Sequence, residues 1–169
     1  NVNPLKTVQF VPLQKNIESQ LIVGWSEKAK IIIDEYSNYL LDGSNIIAVM
    51  SEINETVKKD FDEVQKKHPN IKMRLIKLDI HNEEDIAKLR PEQFDNIIIL
   101  NPDGGDAELK DSETIASLLE FRHYLKKLNL KNVKTQLITE VADSDNIELI
   151  QNVGVKDFLI SNQFVSKIY

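Results

Sequence analysis

The turn Gly24-Trp25-Ser26-Glu27-Lys28-Ala29, directly after the apolar run Leu21-Ile22-Val23, is where residue type and spacing first suggest chemistry. On the glycine-rich template that binds a pyrophosphate at a strand-to-helix turn, Gly24, Ser26 and Ala29 take the three small-residue positions. Gly24 permits the tight turn, and Ala29 lets helix and strand pack closely. Ser26 stands where a second glycine would let the backbone reach a pyrophosphate, so its side chain is a steric objection. Glu27 near the helix start repels an anion, which Lys28 can offset. A dinucleotide site and a plain strand-to-helix connection are the two competing accounts of this turn.

Three more residues extend the candidate site. Glu52 follows the second apolar run, 28 residues after Gly24. An acidic residue there commonly accepts from ribose hydroxyls, although a solvated carboxylate at a helix start fits the same position. Asp79 ends the third run, on the adenine side of such a site, or else caps the turn into the 81–85 segment. Asn101 ends the fourth run and completes the ligand-binding candidates. Beyond it, Asp103, Asp106, Glu108 and Asp111 cluster around Gly104-Gly105. Carboxylates on such a loop supply oxygen ligands for Ca²⁺, and Asp103 and Asp106 are the candidate pair. The spacing is not that of an EF-hand, and a solvated loop with helix caps competes. His68, His81 and His123 lie far apart, and no G-x-S-x-G elbow, P-loop lysine or H-E-x-x-H pair occurs. A hydrolase is therefore not expected. Trp25, the single tryptophan, packs over the sheet or lines a pocket.

These residues need elements to position them. Leu21-Ile22-Val23, the runs 46–50, 73–78 and 97–100, Gln136-Leu137-Ile138-Thr139 and Phe158-Leu159-Ile160 read as strands bounded by turn residues. Several lack polar alternation, as parallel strands covered on both faces do. Between them, apolar residues recur at helical spacing: Ala29, Ile32, Ile33, Tyr36 and Leu40 before Asp42-Gly43, then Val57, Phe61 and Val64. Asn82 caps a short helix with Ile86 and Leu89 inward, and Pro91 lies near its end. Asp111 or Ser112 is expected to cap the longest helix, and Ile147 and Ile150 to face inward on a helix over 143–153 ending at Gly154. Repeated strand–helix alternation predicts an α/β domain: a Rossmann-like, doubly wound, mainly parallel six-stranded sheet of order 3-2-1-4-5-6, with helices on both faces. Residues 1–20 are expected to form an arm or linker, with Val8-Gln9-Phe10-Val11 as an extra edge strand or part of it, and 21–169 the domain itself.

With 169 residues, one ordinary domain is expected. Apolar residues at 41% and charged residues at 28% exclude disordered and low-complexity classes. The formal charge of −6 supplies no global footprint for nucleic acid, so no nucleic-acid partner is expected. The absence of cysteine excludes disulfides, cysteine-ligated metals and thiol nucleophiles. No apolar run approaches the roughly 18 residues that cross a bilayer. The first residue is Asn and the sequence stops soon after its last strand-like run, so a soluble fragment of a longer protein is expected.

Four stretches, taken in order, resemble the regulatory domains of CASTOR/POLLUX-type ion channels. They are the first strand with Gly24-Trp25, the run Leu89-Arg90-Pro91-Glu92-Gln93-Phe94-Asp95-Asn96-Ile97-Ile98-Ile99-Leu100, the stretch Asp111-Ser112-Glu113-Thr114-Ile115-Ala116-Ser117-Leu118-Leu119, and Ile138-Thr139-Glu140-Val141 through Asp157-Phe158-Leu159-Ile160-Ser161-Asn162-Gln163-Phe164-Val165-Ser166. Such domains belong with the RCK domains, akin to the TrkA N-terminal domain. The resemblance implies a Rossmann-like lobe on the cytosolic face of a membrane, assembled with copies of itself as a dimer or ring and coupled to the pore of its parent chain. It implies gating by a ligand, a nucleotide or a divalent cation such as Ca²⁺, without catalysis. Carried over by position, Gly24, Ser26 and Ala29 match the phosphate turn, Glu52 the ribose position and Asp79 the adenine-side acid. Ser26 departs from the NAD-binding pattern and argues against NAD itself. Leu119, Phe121 and Leu125 are candidate apolar assembly contacts, and core packing explains them as well. The competing accounts are a nicotinamide-dependent oxidoreductase, an S-adenosylmethionine-dependent methyltransferase and a ligand-free scaffold.

Overall fold

A computed structural model describes residues 17–131, 133–152 and 157–160, with only the backbone described for Glu27, Lys28 and 157–160. The segment 8–11, most of the expected arm, and Gly154 lie outside the described residues. The elements in chain order are β1 (Ser19–Val23), α1 (Glu27–Ser37), β2 (Asn45–Met50), α2 (Glu55–Lys67), β3 (Lys72–Lys77), α3 (Glu83–Leu89), β4 (Asn96–Ile99), α4 (Ala107–Leu128), β5 (Gln136–Val141), α5 (Ile147–Asn152) and β6 (Asp157–Ile160).

The strands stand in the order β3-β2-β1-β4-β5, all parallel. The four residues of β6 pair in parallel with Ile138–Val141 along the outer side of β5. The α/β class and the parallel sheet agree with the sequence. Side chains alternate between the two sheet faces because successive residues of a strand point in opposite directions. Ile22, Ile46, Ala48 and Ile98 therefore meet Ala29, Ile32, Ile33, Phe61 and Val64 of α1 and α2 on one face. Leu21, Val23, Val49, Ile97 and Ile99 meet Ile86, Leu89, Leu118, Phe121 and Ile150 of α3, α4 and α5 on the other.

The helix ends follow local chemistry. Asn54 caps α2 by accepting from the Val57 amide at 2.9 Å, and Asn82 caps α3 by accepting from Glu84 at 2.9 Å. The cap expected at Asp111 or Ser112 lies elsewhere. Gly104 and Gly105, with φ of +79° and +78°, turn the chain early, and Asp106 caps α4 by accepting from the Leu109 amide at 2.8 Å. Helix α1 also stops at Ser37, before the expected Asp42-Gly43, yet Leu40 stays buried after the intervening turn. At the end of α2, the C-cap His68 brings its Nε2 to 2.7 Å from Asp34 Oδ1 and ties α2 to α1.

At the opposite end of the sheet from the strand tips, Glu18 sits beside Asp95. Partial burial, then repulsion from Asp95, push the Glu18 carboxyl above its ordinary value, against the hydrogen bond from Gln20. A carboxyl with a raised folded value binds its proton more readily in the folded than in the unfolded chain. The charged form thus opposes folding at neutral pH, and the penalty fades as pH falls through the folded value towards the unfolded one. Glu18→Gln keeps the acceptor for Gln20 and removes the charge. It is expected to raise stability at pH 7 by a few tenths of a kcal/mol, about the scale of a solvent-screened pair. Thermal melts against pH check this: the difference should shrink on acidification, and a difference that grows would contradict it.

Candidate functional site

Strand β1 lies between β2 and β4, and the chain leaves β1 for one face of the sheet and β4 for the other. The carboxyl ends of these strands therefore splay apart and leave a crevice at the reversal of strand order. A cavity of about 350 Å³ opens there. Val23, Gly24 and Trp25 form its base, with Val49, Met50 and Ser51 after β2 and Leu100, Pro102 and Asp103 after β4. Asp79, Ile80 and His81 after β3 and Glu113, Thr114 and Ser117 of α4 complete the lining.

Gly24 is the residue that makes the turn possible. Its φ of +90° is rarely open to residues with a side chain, and its amide donates to Val49 O at 2.9 Å. A Cβ there would sit 3.6 Å from Leu100 O, so the position is held by backbone angle more than by crowding. Trp25 is 7% exposed and meets Phe61 edge-on, with ring centroids 5.6 Å apart. It both packs and lines the cavity. Its indole Nε1 is buried without a hydrogen-bond partner among the described residues.

The sequence candidates divide on this geometry. Gly24 and Asp79 line the cavity together. Asp79 also holds the turn after β3: its Oδ1 accepts from the His81 amide at 3.0 Å, and its own amide donates to Asp85 Oδ2 at 2.9 Å. Ser26 is buried behind the wall, where its carbonyl accepts from the Ala29 amide at 3.0 Å. Ala29 is fully buried and packs in the core with Ile22, the close helix–strand approach its size allows. Glu52 is exposed and lies outside the cavity lining, where Ser51 stands instead. Asp103 lines the cavity, whereas Asp106 turns its carboxylate to the α4 amides. No three His, Cys, Asp or Glu side chains converge in a metal-holding group among the described residues.

Asn101 lies below the cavity, 4% exposed, in a buried polar network that the sequence did not announce. Its amide donates to Glu140 Oε1 at 2.7 Å, and its side-chain nitrogen donates to Thr114 Oγ1 at 2.7 Å and Asp111 Oδ1 at 3.2 Å. Asp111 Oδ1 also accepts from the Ala142 amide at 2.7 Å. Its Oδ2 accepts from the Asp143 amide at 3.0 Å and from Asn146 Nδ2 at 2.7 Å. One buried carboxylate on α4 thereby gathers the ends of β4 and β5 and the turn before α5. Thr114 is shared by this network and the cavity wall.

No protein-family model matches the sequence, and no curated protein matches it. Solved structures do match in fold. The human SLO3 gating ring superposes with a TM-score of 0.57 at 14% identity, over 85% of this chain and 24% of that one. The chain shares its fold with part of that gating ring. GsuK bound to ADP superposes with a TM-score of 0.53 at 15% identity, over 92% of this chain and 36% of that one. The chain thus spans about a quarter to a third of the proteins it matches, and at these identities the likeness is one of fold. No helix among the described residues is long and apolar enough to cross a membrane.

Proposed function

We propose that this chain is a cytosolic ligand-sensing lobe of a cation channel, of the CASTOR/POLLUX and RCK type, which pairs with copies of itself and acts without catalysis. The observation that carries this is the fold match over most of the chain to a gating ring and to an ADP-bound protein. The ordered sequence resemblance to channel regulatory domains points the same way. The crevice at the strand-order reversal is where such a lobe would take its ligand, with Gly24 and Asp79 at its wall. Ser26, Ala29 and Asn101 then serve the turn and its support, Glu52 faces solvent, and Asp103 is the remaining candidate for a cation ligand.

A ligand changes gating only through unequal affinity for two arrangements of the ring. Couplings of about 1–3 kcal/mol are typical, a 5- to 150-fold shift in affinity. The test is bilayer recording of the full-length protein with and without this domain, alongside sedimentation of the isolated chain across concentration. The expected result is conductance whose ligand response is lost with the domain, and association at least to a dimer. A full-length protein without conductance, or a chain that stays monomeric at high concentration, overturns the assignment.

A further inference from the structure

Charge is unevenly placed along the chain. Residues 121–139 hold five of its 21 Lys and Arg and none of its 27 Asp and Glu, although the whole chain is acidic. Lys126 and Lys127 fall in the last turn of α4, where the helix dipole favours cations. Lys127 is also paired with Glu83 at 2.6 Å. Neither reason covers Arg122, Lys131 and Lys134, and no described residue forms an ion pair with these three or with Lys126. Among these cations lie apolar side chains that the core leaves in water. Leu125, Leu130, Val133 and Leu137 line an open groove of about 360 Å³, with Arg122, Lys126 and Asn129 as its polar members. Leu130 is 52% exposed and Val133 36%. The loop that carries them is held at both ends. The Asn129 amide donates to Lys126 O at 3.0 Å in a left-handed helix cap. At the other end, Thr135 Oγ1 donates to Phe94 O at 2.7 Å and the Gln136 amide to Asp95 O at 2.9 Å.

We propose that this end of α4 docks on an anionic lipid bilayer, with Arg122, Lys126, Lys131 and Lys134 among the headgroups and Leu130 and Val133 against the acyl region. Each Lys or Arg near such a surface is attracted to it within a Debye length. Lysine suits a diffuse anionic surface, because an ammonium on a flexible stem needs no fixed partner geometry. The groove favours lipid over an acidic protein segment. A peptide laid along it would bury backbone N–H and C=O groups that need partners. Asn129 is the one uncharged hydrogen-bonding side chain in the described lining. An acyl chain makes no such demand. In the parallel sheet, α4 runs from the carboxyl end of β4 to the amino end of β5, so its last turn lies at the opposite end of the sheet from the crevice. Docking there turns the crevice away from the bilayer. The inference goes beyond the ligand-sensing assignment and uses none of the crevice residues.

Sedimentation of the chain with vesicles tests it, using phosphatidylcholine alone and an equal mixture of phosphatidylcholine and phosphatidylserine. The wild type is expected to bind the mixed vesicles and not the neutral ones. It should be released as salt rises from 0.1 M to 1 M, where the screening length falls from about 10 Å to about 3 Å. Lys131→Gln/Lys134→Gln is expected to bind about thirtyfold more weakly, which is about 1 kcal/mol for each cation removed. Leu130→Ser is expected to bind about fivefold more weakly, since half of that side chain remains to be buried. Lys59→Gln/Lys66→Gln makes the same change of net charge on exposed residues of α2 and is expected to bind as the wild type does. All these substitutions fall on exposed side chains, so unchanged melting temperatures are expected throughout. Equal binding to neutral vesicles, an equal loss in the α2 variant, or indifference to Lys131→Gln/Lys134→Gln overturns the proposal. So does an absence of vesicle binding, whether or not a poly-glutamate peptide is held instead. Vesicle binding by a monomeric, non-gating protein keeps this proposal and overturns the ligand-sensing assignment, and a gating protein that ignores vesicles does the reverse.

Discussion

Asp111→Ala is expected to cost about 3–5 kcal/mol, the scale for leaving two or more buried donors without an acceptor. Asp111 is 1% exposed, and its two oxygens accept four hydrogen bonds. Two donors are the main-chain amides of Ala142 and Asp143, where the chain leaves β5. Alanine leaves these donors without the acceptor, and each buried unsatisfied group costs about 1–3 kcal/mol. Asp111→Asn keeps one acceptor but turns an NH₂ toward groups that are themselves donors, so it is expected to recover only part of the loss. Urea unfolding checks this through the midpoint at unchanged slope. Of the usual total of about 5–15 kcal/mol for a domain, this loss is large enough to unfold a marginal one. An Asp111→Ala protein within about 1 kcal/mol of the wild type would mean that water replaces the carboxylate and that the network carries little.

Phe121→Ala is expected to have an effect of similar size by a different route. The sequence left Leu119, Phe121 and Leu125 open between assembly contacts and core, and the structure separates them. Phe121 is 0% exposed in the core between α4 and the sheet, Leu125 is partly buried against that core, and Leu119 is 47% exposed. Truncating a fully buried phenylalanine removes its transfer energy and leaves a cavity, for about 3–5 kcal/mol. Leu119→Ser removes a side chain that is already half in water and is expected to shift the melting temperature little. In a self-associating lobe it should instead weaken association. Melting and sedimentation on both variants distinguish the two roles. A stable Phe121→Ala protein that dissociates would return Phe121 to the assembly surface and contradict its place in the core.

The legible parts of this molecule were local. The apolar runs marked the strands because a parallel sheet buried on both faces tolerates little else. Gly24 was legible because a tight strand-to-helix turn needs positive φ, and the structure gives it +90°. Asn82 was legible because a helix cap acts on amides two or three residues away, here Glu84. Asp111 was not, for the opposite reason. Its type and position imitate a helix cap, while its partners Asn101, Ala142, Asp143 and Asn146 come from other parts of the chain. Only tertiary contact makes it a buried acceptor. Glu52 shows the same limit at the site itself. Its place after β2 was legible, but the direction of its side chain depends on how the chain enters α2, and it points to solvent while Ser51 meets the cavity.

The register of the central strands has a consequence for how the chain comes off the ribosome. Each parallel pairing needs a crossover, and β1 reaches β4 only when Gln20 meets Asn96, across 76 residues. The β1–β2–β3 half can pair as soon as it has been synthesised. Until β4 emerges, the residues 20–23 present an unpaired edge that is apolar from Leu21 to Val23. An open edge of that kind recruits other strands, and long-range parallel pairing is slow. Nascent chains halted before residue 96 are thus the species most exposed to aggregation and to chaperone capture. Those halted after β4 has cleared the exit tunnel have that edge closed.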